Sequence, residues 1–337
     1  MAIERANGHK PAGLLHMLHP TMLSAPRPKP ESLGYDLEAL LPAMILLTAH
    51  IPEDAYTAPM LGTERTGNGV LIDDQGLILT IGYLISEAQK VHVNLSGGRT
   101  VDAEIVAYDY HTGFGLLRTH RPVDIAPMPL GAARDVAEGD AVVVAAYGGM
   151  GHALAGAVVS KRPFAGYWEY MLEEAIYTTP PHPNWSGTAL IAPNGRMAGI
   201  GSLFVEDARS GAAAVSGNMF VPADLLPPIQ DELLRRGRAA DTRPYLAMYS
   251  TEAYGRVVVT SLSAKGPAER AGIKPGDVIV TVNGTTVEGL GDLYRKLWKA
   301  GPAGSTVSLG VVRDGKLREI AVQSRDRYDF LKTPRPH

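Results

Sequence analysis

The chain has 337 residues, a net charge of −3 and no cysteine. With 45% hydrophobic and 20% charged residues, it has the composition of an ordinary globular protein of about two or three domains. The charge balance gives no reason to expect a nucleic-acid partner, and the lack of cysteine excludes disulfides, thiolate nucleophiles and cysteine-ligated metal.

The ten histidines are scattered with no HExxH-type pair, so neither a metal nor another cofactor is expected. Residues 1–36 mix charges, histidines and prolines without the pattern of a secretory signal and read as a poorly ordered tail. A cytoplasmic location follows from that reading, with a periplasmic one as the alternative if the N-terminus is incomplete. The uncharged run from Ala39 to Pro52 falls short of the ~20 apolar residues that a membrane span needs, and the run from Ala141 to Ser160 is broken by four glycines. No membrane span is expected.

From Leu37 onward, short apolar segments alternate with Gly, Asp and Asn turns, which predicts β-barrels or sandwiches. Met44-Ile45-Leu46-Leu47-Thr48 is a candidate first strand, and 67–80 reads as a hairpin turning at Asp74-Gln75-Gly76. Further strands are expected at Val91 to Leu95, Val101 to Ala107, Leu116 to Arg118, Ala141 to Ala146, Ala189 to Ile191 and Ala212 to Val215. Leu226, Ile229 and Leu233 share one face of a helix over Leu225 to Arg236, which ends in two arginines before Gly237. Residues 238–243 read as a linker. Beyond it lies a small α+β unit over 244–325, with strands around Tyr245 to Met248, Val257 to Thr260, Val278 to Val282 and Val307 to Val312. Helices are expected at Pro267 to Ala271 and Leu293 to Ala300, and residues 326–337 read as a tail.

One stretch carries a hint of chemistry. Asn184-Trp185-Ser186-Gly187-Thr188-Ala189-Leu190 sets a serine between turn-forming residues ahead of a strand, which is how chymotrypsin-like enzymes present a nucleophilic hydroxyl beside backbone N–H groups. Ser-Gly pairs are also ordinary turn chemistry.

Context comes from the C-terminal unit. Ala264-Lys265-Gly266-Pro267-Ala268-Glu269-Arg270-Ala271-Gly272-Ile273-Lys274-Pro275-Gly276-Asp277-Val278-Ile279, followed by Val282-Asn283-Gly284, resembles a PDZ domain of the kind attached to HtrA/DegP-type serine proteases. Residues 37–237 resemble the protease domain of that family through Gly67-Asn68-Gly69-Val70, Ser96-Gly97-Gly98-Arg99, Ala137-Glu138-Gly139-Asp140 and Gly156-Ala157-Val158-Val159-Ser160. The resemblance implies a mostly β protein, with a trypsin-like double β-barrel followed by a PDZ domain. It also implies a peptide site at Tyr245, Leu246, Ala247 and Met248, where partner C-termini add as a strand and Ala247 stands in place of the family's usual glycine. Partners are therefore proteins or peptides, including C-terminal tails. By the same resemblance, Tyr35 to Leu47 builds a homo-oligomer, typically a trimer.

The resemblance puts Ser186 at the nucleophile, and Asn184 with Ser186 at the oxyanion hole. It puts Tyr83, within Thr80-Ile81-Gly82-Tyr83-Leu84-Ile85, where the family has its histidine. Within Asp109-Tyr110-His111-Thr112-Gly113-Phe114-Gly115-Leu116-Leu117, Gly113 takes the place of the aspartate. A phenol titrates near ~10 and is a poor base at neutral pH, and glycine has no side chain with which to orient one. The expected function is a catalytically impaired homologue acting as a peptide-binding scaffold or regulatory subunit. The alternatives are an active serine endopeptidase with a non-standard base, for which His111, His182 and Tyr83 are the candidates, and a purely structural subunit of a larger assembly. An aromatic segment, Tyr167-Trp168-Glu169-Tyr170-Met171, reads as a contact patch or as core filling.

Overall fold

The structure is a computed structural model and describes residues 26–209 and 215–332. The chain is mostly β and divides into two compact units. Most of the N-terminal tail, the 212–214 part of the strand expected at Ala212 to Val215, and the last five residues lie outside the described residues.

Among the described residues, the first unit comprises 26–162, 174–209, 215–239 and 332. Six antiparallel strands, β1 (Met44–His50), β2 (Glu64–Leu71), β3 (Leu77–Ile81), β4 (Lys90–Asn94), β5 (Thr100–Tyr108) and β6 (Phe114–Thr119), close into a barrel in the order β1-β2-β3-β6-β5-β4. Ile45, Leu47, Leu71, Ile78 and Leu117, which the strand register sets on one face of its sheet, are fully buried. A second closed barrel, in the order β10-β11-β12-β9-β8-β7, uses β7 (Ala141–Ala145), β8 (Ala153–Gly166), β9 (Tyr170–Thr179), β10 (Ala189–Ile191), β11 (Met197–Val205) and β12 (Gly217–Pro222). Val142, Val144, Val158, Ile176, Leu190 and Phe220 form its core. Closure leaves neither barrel with an exposed sheet edge. Helix α1 (Pro227–Arg236) starts on a proline and ends at Gly237, whose φ of +73° is the left-handed cap that glycine takes without strain.

The second unit comprises 163–173 and 240–331. Its sheet runs β13 (Met248–Ala253), β14 (Arg256–Leu262), β15 (Val278–Val282), β17 (Thr306–Arg313) and β18 (Lys316–Gln323), with β16 (Thr285–Thr286) paired to β15. Helix α2 is Pro267–Ala271 and helix α3 is Leu290–Lys299. Leu293, Tyr294 and Leu297 of α3 join Val257, Ile279, Val307 and Val311 of the sheet in one core, to which Met171 also belongs.

Three expectations need adjusting. The strand expected over Tyr245 to Met248 begins only at Met248 and leaves Tyr245–Ala247 as loop, because Ala247 has φ +58° and a left-handed residue breaks a strand. Residues 326–330 are not a loose tail, since Asp326 caps a 3-10 turn over Arg327–Phe330 and the Phe330 ring meets that of Tyr245 edge-on at 5.5 Å. Residues 163–173, read from sequence as part of the first domain, belong to the second unit. The physical cause is the burial of Met171 and Glu169 there.

Candidate functional site

Ser186 lies in the loop between β9 and β10 and is 8% exposed. Asn68 on β2 holds this loop by its backbone N–H to the Ser186 carbonyl at 2.8 Å and by Nδ2 to the carbonyls of Ser186 at 3.0 Å and Asn184 at 2.9 Å. Gly187 has φ +75°, and a Cβ there would lie 1.8 Å from the Asn68 carbonyl oxygen, so only glycine lets the loop approach β2 this closely.

Tyr83 arrives from a 3-10 turn after β3, over Gly82–Leu84. Buried Arg65 fixes that turn by donating to the carbonyls of Tyr83 at 2.7 Å and Ser86 at 3.1 Å. Desolvation pulls its guanidinium down to about 10, which leaves it charged at neutral pH. The Tyr83 hydroxyl lies 2.8 Å from Ser186 Oγ and 2.6 Å from the Ser202 carbonyl oxygen. A carbonyl only accepts, so the single phenolic proton goes to Ser202 and the Ser186 hydroxyl donates to Tyr83 Oη. Burial pushes the phenol well above its ordinary value, outweighing the hydrogen bond from Ser186. Ser186 therefore donates to a neutral oxygen that has almost no tendency to take its proton.

Gly113 closes the turn before β6. It has φ +82°, donates its N–H to the Asp109 carbonyl at 2.8 Å and accepts the Gly82 amide at 2.7 Å. The nearby carboxylate of Asp109 accepts both the N–H and the hydroxyl of Thr112, at 2.8 and 2.7 Å, so it stabilises its own turn. Half-buried His111 lies in this turn.

The Asn184 amide, expected to form half of an oxyanion hole, donates instead to His182 Nδ1 at 3.0 Å. Asn184 is also absent from the non-glycine residues with positive φ. His182 is fully buried, and its Nε2 reaches the His152 carbonyl at 3.2 Å. With Nδ1 accepting and Nε2 donating, the ring is neutral, and desolvation brings its pKa down to about 4. His182 is thus a structural histidine for the loop backbone. Among the described residues, no cluster of His, Asp and Glu is arranged to hold a metal ion.

In the second unit, Tyr245, Leu246 and Ala247 form the loop before β13, Met248 begins the strand, and all four are buried. The Leu246 and Met248 amides both donate to the side chain of Glu169.

Of the residues named from sequence, Tyr83 and Ser186 lie within hydrogen-bond reach of each other, Asn184 shares the loop of Ser186, and the Gly113 carbonyl accepts the Gly82 amide. Asn68, Arg65 and Ser202 were not among them. Asn68 had a signal in its place between two glycines of a matched strand, whereas Ser202 acts through its carbonyl and leaves no trace in side-chain identity.

Residues 67–200 match the trypsin-like peptidase domain and residues 244–323 match the PDZ domain. The chain is similar to HtrA/DegP-type proteases. It is 29% identical over 314 residues to the chloroplastic Protease Do-like 1 of Arabidopsis thaliana, covering 86% of this chain and 70% of that protein. It is 27% identical over 323 residues to the periplasmic pH-dependent serine endoprotease DegQ of Escherichia coli K12, with the same coverage. The solved structure of a serine endoprotease from Yersinia pestis shares the fold, with TM-score 0.53 at 22% identity over 86% of this chain and 96% of that one. No helix among the described residues is long and apolar enough to cross a membrane. The periplasmic name of DegQ lends no support to the cytoplasmic location expected for the HtrA/DegP-like chain.

Proposed function

We propose that this HtrA/DegP-like chain is a catalytically impaired serine protease homologue that acts as a peptide- or protein-binding scaffold or regulatory subunit. The observation that carries the proposal is the proton arrangement at Ser186, whose hydroxyl points to a protonated Tyr83 rather than to a base. Acyl transfer needs a base on Oγ, a group orienting that base and donors for the oxyanion. Here Tyr83 stands at the base position, Gly113 at the orienting position, and the Asn184 amide is engaged by His182. A serine without its base keeps only the small residual catalysis of binding and any remaining oxyanion donor.

Purified protein incubated with unfolded casein and with a fluorophosphonate probe tests this. No cleavage and no Ser186-dependent labelling are expected, and either one overturns the proposal. A second reading, an endopeptidase using Ser186 with a non-standard base, draws on the relatives named as proteases. It requires an activity in the wild type that Ser186→Ala abolishes.

Assembly and location belong to the same proposal. By resemblance Tyr35 to Leu47 builds a homo-oligomer, a trimer in the usual case, and a monomeric mass by light scattering would count against it. The compartment is read as cytoplasmic or, following the names of relatives, periplasmic. Cell fractionation with an antibody to the chain separates the two.

A further inference from the structure

Glu169 lies between β8 and β9, in the part of the hairpin that belongs to the second unit, and is 5% exposed. Its Oε2 accepts the Leu246 amide at 3.0 Å and its Oε1 the Met248 amide at 2.8 Å. Ala247, between these two donors, has φ +58°. A left-handed residue in such a loop turns the flanking N–H groups toward one point and makes a concavity for an anion. Glu169 itself has φ +53°. Non-glycine residues in this region are strained, so strain is held on both sides of the contact.

The neighbouring residues continue the arrangement. Ser250 of β13 donates its amide to the Tyr167 carbonyl at 3.0 Å. Because β13 ends the strand order of its sheet, Tyr167 occupies a position that an added strand would take. From α3, the Tyr294 hydroxyl donates to the Gly166 carbonyl at 2.7 Å and accepts the Glu169 amide at 3.2 Å. Arg327 donates to the carbonyls of Trp168 and Glu169 at 3.1 and 3.2 Å and faces the carboxylate with its charge. Met171 is buried in the core beside Leu293 and Leu297.

A peptide bound by a module of this kind runs along an edge strand and places its terminal carboxylate on backbone N–H groups of the adjoining loop. Tyr167 takes the first of these places and Glu169 the second. We infer that the 166–171 tip is an internal ligand of the PDZ domain, with the Glu169 carboxylate seated where a partner's C-terminal carboxylate would be held, so that a free C-terminus binds by displacing it. The competition rests on the reading of this unit as a peptide-binding module. The occupancy of the loop is a separate matter, and the test keeps the two apart.

The full chain is compared with Glu169→Ala and with the isosteric Glu169→Gln, which keeps one acceptor should the alanine variant misfold. Hydrogen exchange over 245–249 reads occupancy. Exchange of the Leu246 and Met248 amides is expected to accelerate about tenfold or more in Glu169→Ala, and by less in Glu169→Gln, because the alanine variant leaves both buried donors without an acceptor. Unchanged exchange in both variants overturns the inference. Fluorescence polarisation with a degenerate pool of labelled hexapeptides ending in a free apolar residue reads competition. The variants are expected to bind the pool about tenfold or more tightly than wild type, and its amidated counterpart not at all. Equal measurable binding by wild type and variants overturns the displacement. Faster exchange with no binding by any form supports the internal ligand and overturns the peptide-binding reading.

Discussion

Ser186 gives its proton to a hydrogen bond with Tyr83, and Tyr83 gives its own to the carbonyl of Ser202. Tyr83→Phe removes the shared hydroxyl and leaves the Ser186 donor and the Ser202 acceptor without it. A loss of about 1–3 kcal/mol of stability is expected from two polar groups left unpaired. Urea unfolding should show it as a lower midpoint with unchanged slope, while fluorophosphonate labelling stays at background.

Restoring the base alone will not restore hydrolysis. Tyr83→His leaves the Asn184 amide on His182 and provides no carboxylate at Gly113. Casein incubated with this variant is expected to stay intact. Adding Gly113→Asp places a side chain at φ +82°, at a cost of about 1–2 kcal/mol. The double variant should therefore melt below the single one.

His182 makes the first unit sensitive to acid. Its folded pKa of about 4 lies below the ordinary 6.5, so between these values the unfolded chain binds a proton that the folded one does not. The contribution is full above pH 6.5 and is lost as the pH falls toward 4, by about 3 kcal/mol in all. His182→Asn removes this slope. Thermal unfolding at pH 7, 5.5 and 4 should show the variant's melting temperature falling less than that of the wild type.

Glu169 works in the opposite direction. Burial lifts its pKa to about 7 from 4.5, against the lowering effect of the Met248 and Leu246 amides and of Arg327. Tyr294, the other titratable group against it, is itself pushed up by burial and stays protonated. The docked tip is thus favoured fully below pH 4.5 and loses about 3 kcal/mol as the pH rises through 7. After correction for intrinsic exchange chemistry, the Leu246 and Met248 amides should open more often at pH 8 than at pH 5. Glu169→Gln should show no such dependence.

Gly187→Ala tests the contact between the Ser186 loop and β2. The new methyl meets the Asn68 carbonyl in a backbone conformation with φ +75°. A loss of about 2–4 kcal/mol is expected from strain and overpacking combined. A melting temperature equal to that of the wild type would mean that the loop moves off β2 without cost.

The barrels and the small α+β unit were legible because their strands alternate with turn residues and because the Gly276-Asp277 and Asn283-Gly284 turns stand at matched places. Ser186, Tyr83 and Gly113 were legible because each sits inside a segment whose neighbours match. The engagement of the Asn184 amide was not, since a backbone donor has no identity of its own and its acceptor depends on how His182 turns. Glu169 was less legible still. It lies 77 positions from Leu246, within an aromatic run whose composition fits an exposed patch as well as a core. Only the fold brings the two together.

If Glu169 fills the loop as inferred, ligand and receptor belong to one chain, 77 positions apart. A ligand carried in the same chain competes at a fixed effective concentration, which does not change with the abundance of the protein. On that reading a soluble tail must exceed a set level before it displaces the tip, and diluting the protein does not lower that level.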